Sequence, residues 1–148
     1  MIKIEYPPYN PRIKKENGRE LIFDEIRKRW VVLTPEEWVR QNFLAYLVQV
    51  RAIPSSLIAV EKEIVLGDIK KRFDIVIYNQ QAKPFMLVEC KEMGVALTPK
   101  VLDQALRYNI AMQVPFVVIT NGQYCMAFDC SNGVATELTE LPPVNPVN

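Results

Sequence analysis

Asp74, Glu89 and Lys91 stand in two apolar runs, FDIVIY and PFMLVECK, where a charged side chain is costly unless it is paired. Two carboxylates and an ammonium on neighbouring strands can hold a hard cation and stabilise charge on a phosphate. Strands at about 72–78 and 85–91, joined by the polar NQQAK loop, are predicted to pair antiparallel. With the loop centred between Gln81 and Ala82, paired residue numbers sum to about 163, which sets Asp74 opposite Glu89. Side chains alternate along a strand, so Lys91 shares the face of Glu89. Phe73, Ile75, Ile77, Val88 and Cys90 take the other face by the same rule. Carboxylates directly across a strand pair repel by some tenths to about 1 kcal/mol, and a cation between them removes that cost. Oxygen-only ligation suits Mg²⁺ or Mn²⁺, which keep several waters and accept phosphate oxygens. A lysine beside such an ion can orient or deprotonate water, or neutralise charge on a phosphate. The implied chemistry is metal-assisted phosphodiester hydrolysis. The competing reading leaves Glu89 and Lys91 as strand-end charges and pairs Asp74 with Arg72 or Lys71.

The elements that must position these residues are legible in part. Residues 1–34 are a weakly patterned extension with Pro7, Pro8 and Pro11, in which Leu21–Leu33 supplies one or two short strands around a turn. Thr34, Pro35 and Glu37 form a cap, a first-turn proline and a capping box, and predict a helix over about 35–51 that stops before Pro54. Three strand-like runs follow, IAVEKEIVL, FDIVIY and PFMLVECK. Thr98-Pro99 repeats the cap-then-proline signature and opens a second helix to about Met112. PFVVIT and QYCMAF then flank Asn121-Gly122, a hairpin signal that calls for positive φ at both residues. The core spans 35–130, and 131–148 is a proline-rich tail ending LPPVNPVN, expected to fray. The whole reads as one α/β domain.

Composition narrows the chemistry. The 148 residues contain no histidine, which excludes His-based triads and His-ligated zinc. No Gly-rich phosphate loop is present. Net charge is +1, so nucleic acid would be held by local patches such as IKKR or RKRW rather than by a basic surface. Three cysteines cannot all pair, and reduced thiols in a cytoplasmic protein are expected. No apolar run approaches the roughly 20 residues of a membrane helix, and the first residues lack the apolar core of a secretory signal.

Asp74, fourteen residues, then Glu89-Cys90-Lys91 resembles the PD-(D/E)xK nuclease pattern, without the proline, since Phe73 precedes Asp74. Gln104 and Tyr108, four apart on the second helix, resemble the Gln-x-x-x-Tyr signature of many members. TPEEWVRQNFLAYL, RFDIVIY, LVECK, LDQALRYN and VITNG together resemble the N-terminal nuclease domain of type I restriction enzyme R proteins over roughly residues 20–130. That resemblance implies a restriction-endonuclease-like core (αβββαβ), a mixed sheet flanked by helices. It implies metal binding by Asp74, Glu89 and the Cys90 carbonyl, with Lys91 as catalytic lysine and Gln104 beside the site. A first-helix glutamate, Glu36 or Glu37, is a candidate near the metal, with Arg40 and Gln41 one turn on facing the cleft or solvent. Glu63 reads as a supporting acid or a solvent-facing residue, and Tyr108 as a site residue or a packing aromatic. Trp30, Trp38 and Tyr46 read as core or rim, and Asn121 as a turn residue. The expected function is a Mg²⁺- or Mn²⁺-dependent endonuclease acting on DNA in restriction or defence, working as a homodimer or within a larger complex. Alternatives are a catalytically silent module that keeps the fold, and an RNA or repair nuclease with the same site.

Overall fold

Two threonine–proline pairs start the helices. Thr34 Oγ1 accepts the Glu37 amide at 3.0 Å, and Pro35 opens α1 (Pro35–Gln49). Thr98 Oγ1 accepts the Val101 amide at 3.4 Å ahead of α2 (Pro99–Met112). Each cap satisfies an amide that the helix cannot pair itself, worth about 1 kcal/mol. The Glu37 carboxylate does not close the capping box that the spacing predicts. It turns instead to Arg27, Arg40 and Gln41, because bonds to charged groups outweigh one to a backbone amide. The computed structural model describes residues 1–144, without the side chains of Ile110 and Ala111.

The main sheet contains β1 (Ile2–Lys3), β5 (Ile58–Leu66), β6 (Ile69–Tyr78), β7 (Pro84–Cys90), β8 (Phe116–Thr120), β9 (Tyr124–Asp129) and β10 (Thr136–Leu138), in the order β1-β9-β8-β7-β6-β5 with β10 also on β9. β7 and β8 are parallel and the other pairs antiparallel, as the α2 crossover between them requires. β1 and β10, which the sequence did not predict, share the outer edge of β9. Val39, Phe43, Leu44 and Leu47 of α1 pack on Ile75, Ile77, Val88 and Val118. Ala105 of α2 packs on the other face with Val117 and Ile119. Each fully buried aliphatic or aromatic side chain here contributes about 1.5–3 kcal/mol.

Several expectations require correction. The strands expected around a turn in Leu21–Leu33 are β3 (Arg19–Asp24) and β4 (Arg29–Val32), but β2 (Ile13–Glu16), not expected, joins them in a three-stranded antiparallel sheet. Asn17 and Gly18, with φ of 52° and 78°, make the β2–β3 turn, the positive-φ pair that such a hairpin favours. At the β8–β9 turn only Gly122 has positive φ, 91°. Asn121 acts there through its side chain, accepting the Gln123 and Tyr124 amides, each at 3.1 Å, and donating to the Val95 carbonyl at 3.0 Å. The tail does not fray at Leu141, which is buried in the α1 core while its carbonyl accepts Arg51 Nη2 at 2.8 Å. Residues 145–148 of that tail lie outside the described residues.

Candidate functional site

The β6–β7 register is the predicted one, with Ile75↔Val88, Val76↔Leu87 and Ile77↔Met86, sums of 163. Regular pairing stops there, one step before Asp74 and Glu89 would meet. The Asp74 carboxylate enters the opening, and its Oδ2 accepts the Cys90 amide at 2.8 Å, in place of a strand carbonyl. Beyond it the Lys91 amide bonds to the Thr120 carbonyl of β8 at 2.8 Å, so the Lys91 backbone stays fixed.

Strand parity does not hold through Asp74. Ile75, Ile77, Val88 and Cys90 pack toward α1 as expected, but Phe73 lies on the opposite face with Val76, Leu87 and Met112. The irregularity is shared with β5. Glu61 adopts φ 54°, and the Glu61–Asp74 pair is missing from the ladder although Val60↔Ile75 and Lys62↔Phe73 pair in the same register on either side. The alternation reverses across this one unpaired position. Asp74 thereby reaches Arg40 of α1, Oδ1 to Nη2 at 3.0 Å. Glu89 has different partners, Lys71 at 3.4 Å and Lys91 at 3.8 Å. Lys71 in turn lies 4.6 Å from the centre of the Tyr108 ring on α2, within cation–π range. Asp74 therefore faces α1 while Glu89 faces the Lys71–Tyr108 side, so the three charges sit at neighbouring backbone positions at the end of the strand pair and not on one shared face.

Around Arg40 the charge is lopsided. Its guanidinium faces Glu36 at 3.5 Å, Glu37 at 3.3 Å, Glu61 at 3.1 Å and Asp74 at 3.0 Å. Burial disfavours its charge, but Glu37, Asp74 and Glu61 outweigh that and raise its pKa. Asp74 shows the opposite imbalance. Burial pushes its carboxyl up to about 6; the Cys90 amide and Arg40 offset only part of this, and Glu36 and Glu89 add to it. Its charge is therefore under-compensated.

Among the described residues no group of three or more His, Cys, Asp or Glu side chains has metal-ligand geometry. Mg²⁺ needs no such cage, since one or two carboxylates with waters and substrate phosphates suffice. Asp74 and Glu89 fit that requirement: both are oxygen donors with side chains 14 % exposed, and each carboxylate has about four lone-pair sites. The carboxyl held up at about 6 marks the place where a cation would be favourable.

The remaining candidates divide. Glu37, Arg40 and Gln41 are buried rather than solvent-facing. Gln104 is exposed and its side chain makes no hydrogen bond among the described residues, one turn from Tyr108. Glu63 is exposed, 3.8 Å from Lys70; its neighbour Glu61 takes the place beside Arg40. The sequence reading missed Glu61, Asp24 and Arg27. Alternation put Glu61 on the face of Glu63, and only its left-handed backbone brings it in. Asp24 and Arg27 follow an Asn-Gly turn that would have marked the extension as folded.

A mixed sheet flanked by two helices, with α1 before β5, β6 and β7 and α2 crossing to β8, is a restriction-endonuclease-like core. The family described as type I restriction enzyme R protein N terminus matches residues 35–142. The chain belongs to that family. A solved fragment described as "a putative HsdR subunit of a type I restriction enzyme from Vibrio vulnificus YJ016" is similar at 21 % identity and a TM-score of 0.44. The similarity covers 60 % of this chain and 19 % of that one, about a fifth of its length. No curated protein matches the chain. Among the described residues no helix is long and apolar enough to cross a membrane.

Proposed function

We propose that this domain is a Mg²⁺- or Mn²⁺-dependent nuclease acting on DNA phosphodiesters in a restriction or defence setting. The observation that carries the reading is the under-compensated Asp74 carboxylate at the opening between β6 and β7, with Glu89 and Lys91 on the adjoining strand. Asp74 and Glu89 would hold the ion, with the Cys90 carbonyl as a further oxygen donor. When bound, the ion supplies Lewis-acid polarisation of the phosphate and eases deprotonation of water. Lys91, tethered near Glu89 and about one third exposed, would orient the attacking water and neutralise charge on the phosphate. Gln104 and Tyr108, on the exposed side of α2, would meet the DNA backbone. A net charge of +1 gives little non-specific affinity, so a second copy or a partner in a larger restriction complex would deliver the substrate.

The test is nicking of supercoiled plasmid in Mg²⁺ or Mn²⁺ by wild type, Glu89→Ala and Lys91→Ala, with linear, single-stranded and RNA substrates alongside. Loss of one catalytic group typically lowers the rate about 10²–10⁴-fold. Equal nicking by all three proteins would overturn the proposal, and cleavage confined to RNA would move it to the other substrate.

A further inference from the structure

Residues 1–34 precede the segment that matches the family, yet two of their side chains reach the site. Asp24 ends β3 and is 0 % exposed. Its Oδ1 accepts the amides of Ile26 and Arg27, each at 2.7 Å, and its Oδ2 accepts Arg27 Nε at 2.7 Å and Gln41 Nε2 at 2.8 Å. Arg27 is locked at its Nε end, and it extends Nη2 to Glu37 Oε1 at 3.0 Å. The same oxygen takes Arg40 Nη1 at 3.3 Å, and Arg40 Nη2 meets Asp74 Oδ1 at 3.0 Å. A buried line of alternating charge thus runs from the N-terminal sheet to the opening of the main sheet.

We infer that Asp24 and Arg27 are positioning residues: acting through Glu37, they set where the Arg40 guanidinium stands and so how the Asp74 carboxylate is held. Arg40 Nε is buried and has no hydrogen-bond partner among the described residues. Nothing on the stem side fixes the group, and its place follows from the balance of carboxylates around it. Arg27 and Arg40 share one oxygen of Glu37. Without Arg27, Glu37 keeps a single cationic partner, and its attraction draws the guanidinium away from Asp74. Asp74 then loses the bond that steadies it against the Cys90 amide.

The inference rests on reading Asp74 as a site residue, and its test uses neither divalent cation nor DNA, so a failure to nick plasmid leaves its outcome separate. Amide hydrogen exchange is measured by NMR at Cys90, bonded to Asp74, and at Val88, within the regular ladder, in wild type, Arg27→Met and Arg27→Met/Glu37→Gln. The ratio of Cys90 to Val88 exchange rates should rise about tenfold in Arg27→Met, a local opening rather than a global one. The double variant, which removes the uncompensated carboxylate, should return the ratio to within about threefold of wild type. An unchanged ratio in Arg27→Met overturns the inference, because a merely stabilising network would speed both amides together. A ratio that stays raised in the double variant overturns it too. If Arg27→Met does not fold, Arg27→Lys carries the same comparison, because an ammonium cannot span Asp24 and Glu37 as the guanidinium does.

Discussion

Replacing Asp74 with asparagine should make the protein more stable at neutral pH and leave it almost unchanged in mild acid. The Asp74 carboxyl has an ordinary value of 3.8 and is pushed up to about 6 in the folded chain. Between those values the native state holds a proton that the unfolded chain has released, so stability falls as pH rises through this window. At 1.36 kcal/mol per unit, the shift corresponds to about 3 kcal/mol, lost by about pH 7. Asparagine resembles the protonated carboxyl in shape and cannot ionise. The variant should therefore match wild type near pH 4 and exceed it by about 3 kcal/mol at pH 7.5. Urea titrations followed by circular dichroism at four pH values between 4 and 7.5 would measure this. With slopes of roughly 1–3 kcal/mol per molar, the midpoint of the variant should move about 1–3 M above wild type at the upper end. Most other titrating groups cancel in the difference. Parallel curves would refute the argument, and a wild type that gains on the variant as pH rises would show that Arg40 compensates Asp74 fully.

Lys71→Met should tighten binding of Mn²⁺, because it removes a cation 3.4 Å from Glu89; calorimetry should give up to about fivefold, the scale of a partly exposed pair, and weaker binding would show that Lys71 supports the site. Gly122→Ala should lower stability by more than about 1 kcal/mol in thermal or urea unfolding, since φ is +91° and a Cβ there would stand 3.2 Å from Val39 Cγ2. An unchanged midpoint would mean that the β8–β9 turn relaxes without cost.

The sequence carried the site as far as local rules reach. The polar NQQAK loop and two apolar runs were enough to place Ile75 opposite Val88, because a two-strand register depends on neighbours in the chain. Thr34-Pro35 and Thr98-Pro99 located both helices for the same reason. Parity failed at Asp74, since the irregularity belongs to Glu61, thirteen residues earlier on another strand, and no residue type there announces a left-handed backbone. Helical spacing alone left Arg40 and Gln41 facing either the cleft or solvent, because their burial depends on β3 and its turn covering that side of α1. Asn17-Gly18 was the overlooked clue to that cover. The proposed metal binding lies further off, as the charge balance it rests on is set among Glu36, Glu61, Arg40 and Asp74, four residues from three elements.

The line of charge from Asp24 to Asp74 is poorly explained as a device for stability alone. Buried ion pairs return little net free energy, because desolvating each partner cancels much of the attraction, and apolar replacements of similar volume often do as well. What the line does show is direction. At its N-terminal end Asp24 takes four hydrogen bonds, and although burial opposes its charge, the bonds from Arg27 and Gln41 hold its carboxyl below the ordinary value. One step on, Glu37 accepts from Arg27, Arg40 and Gln41. At Arg40 one buried nitrogen goes without a partner among the described residues, and at Asp74 burial wins and the carboxyl is held up. Every charge before Asp74 is thus held by opposite partners, and the deficit falls on the last member, at the opening of the β6–β7 pair. A structure optimised only for stability would gain most by satisfying the last member of such a chain. Leaving the deficit at Asp74, near Glu89, keeps unmet negative charge where the proposed cation would bind.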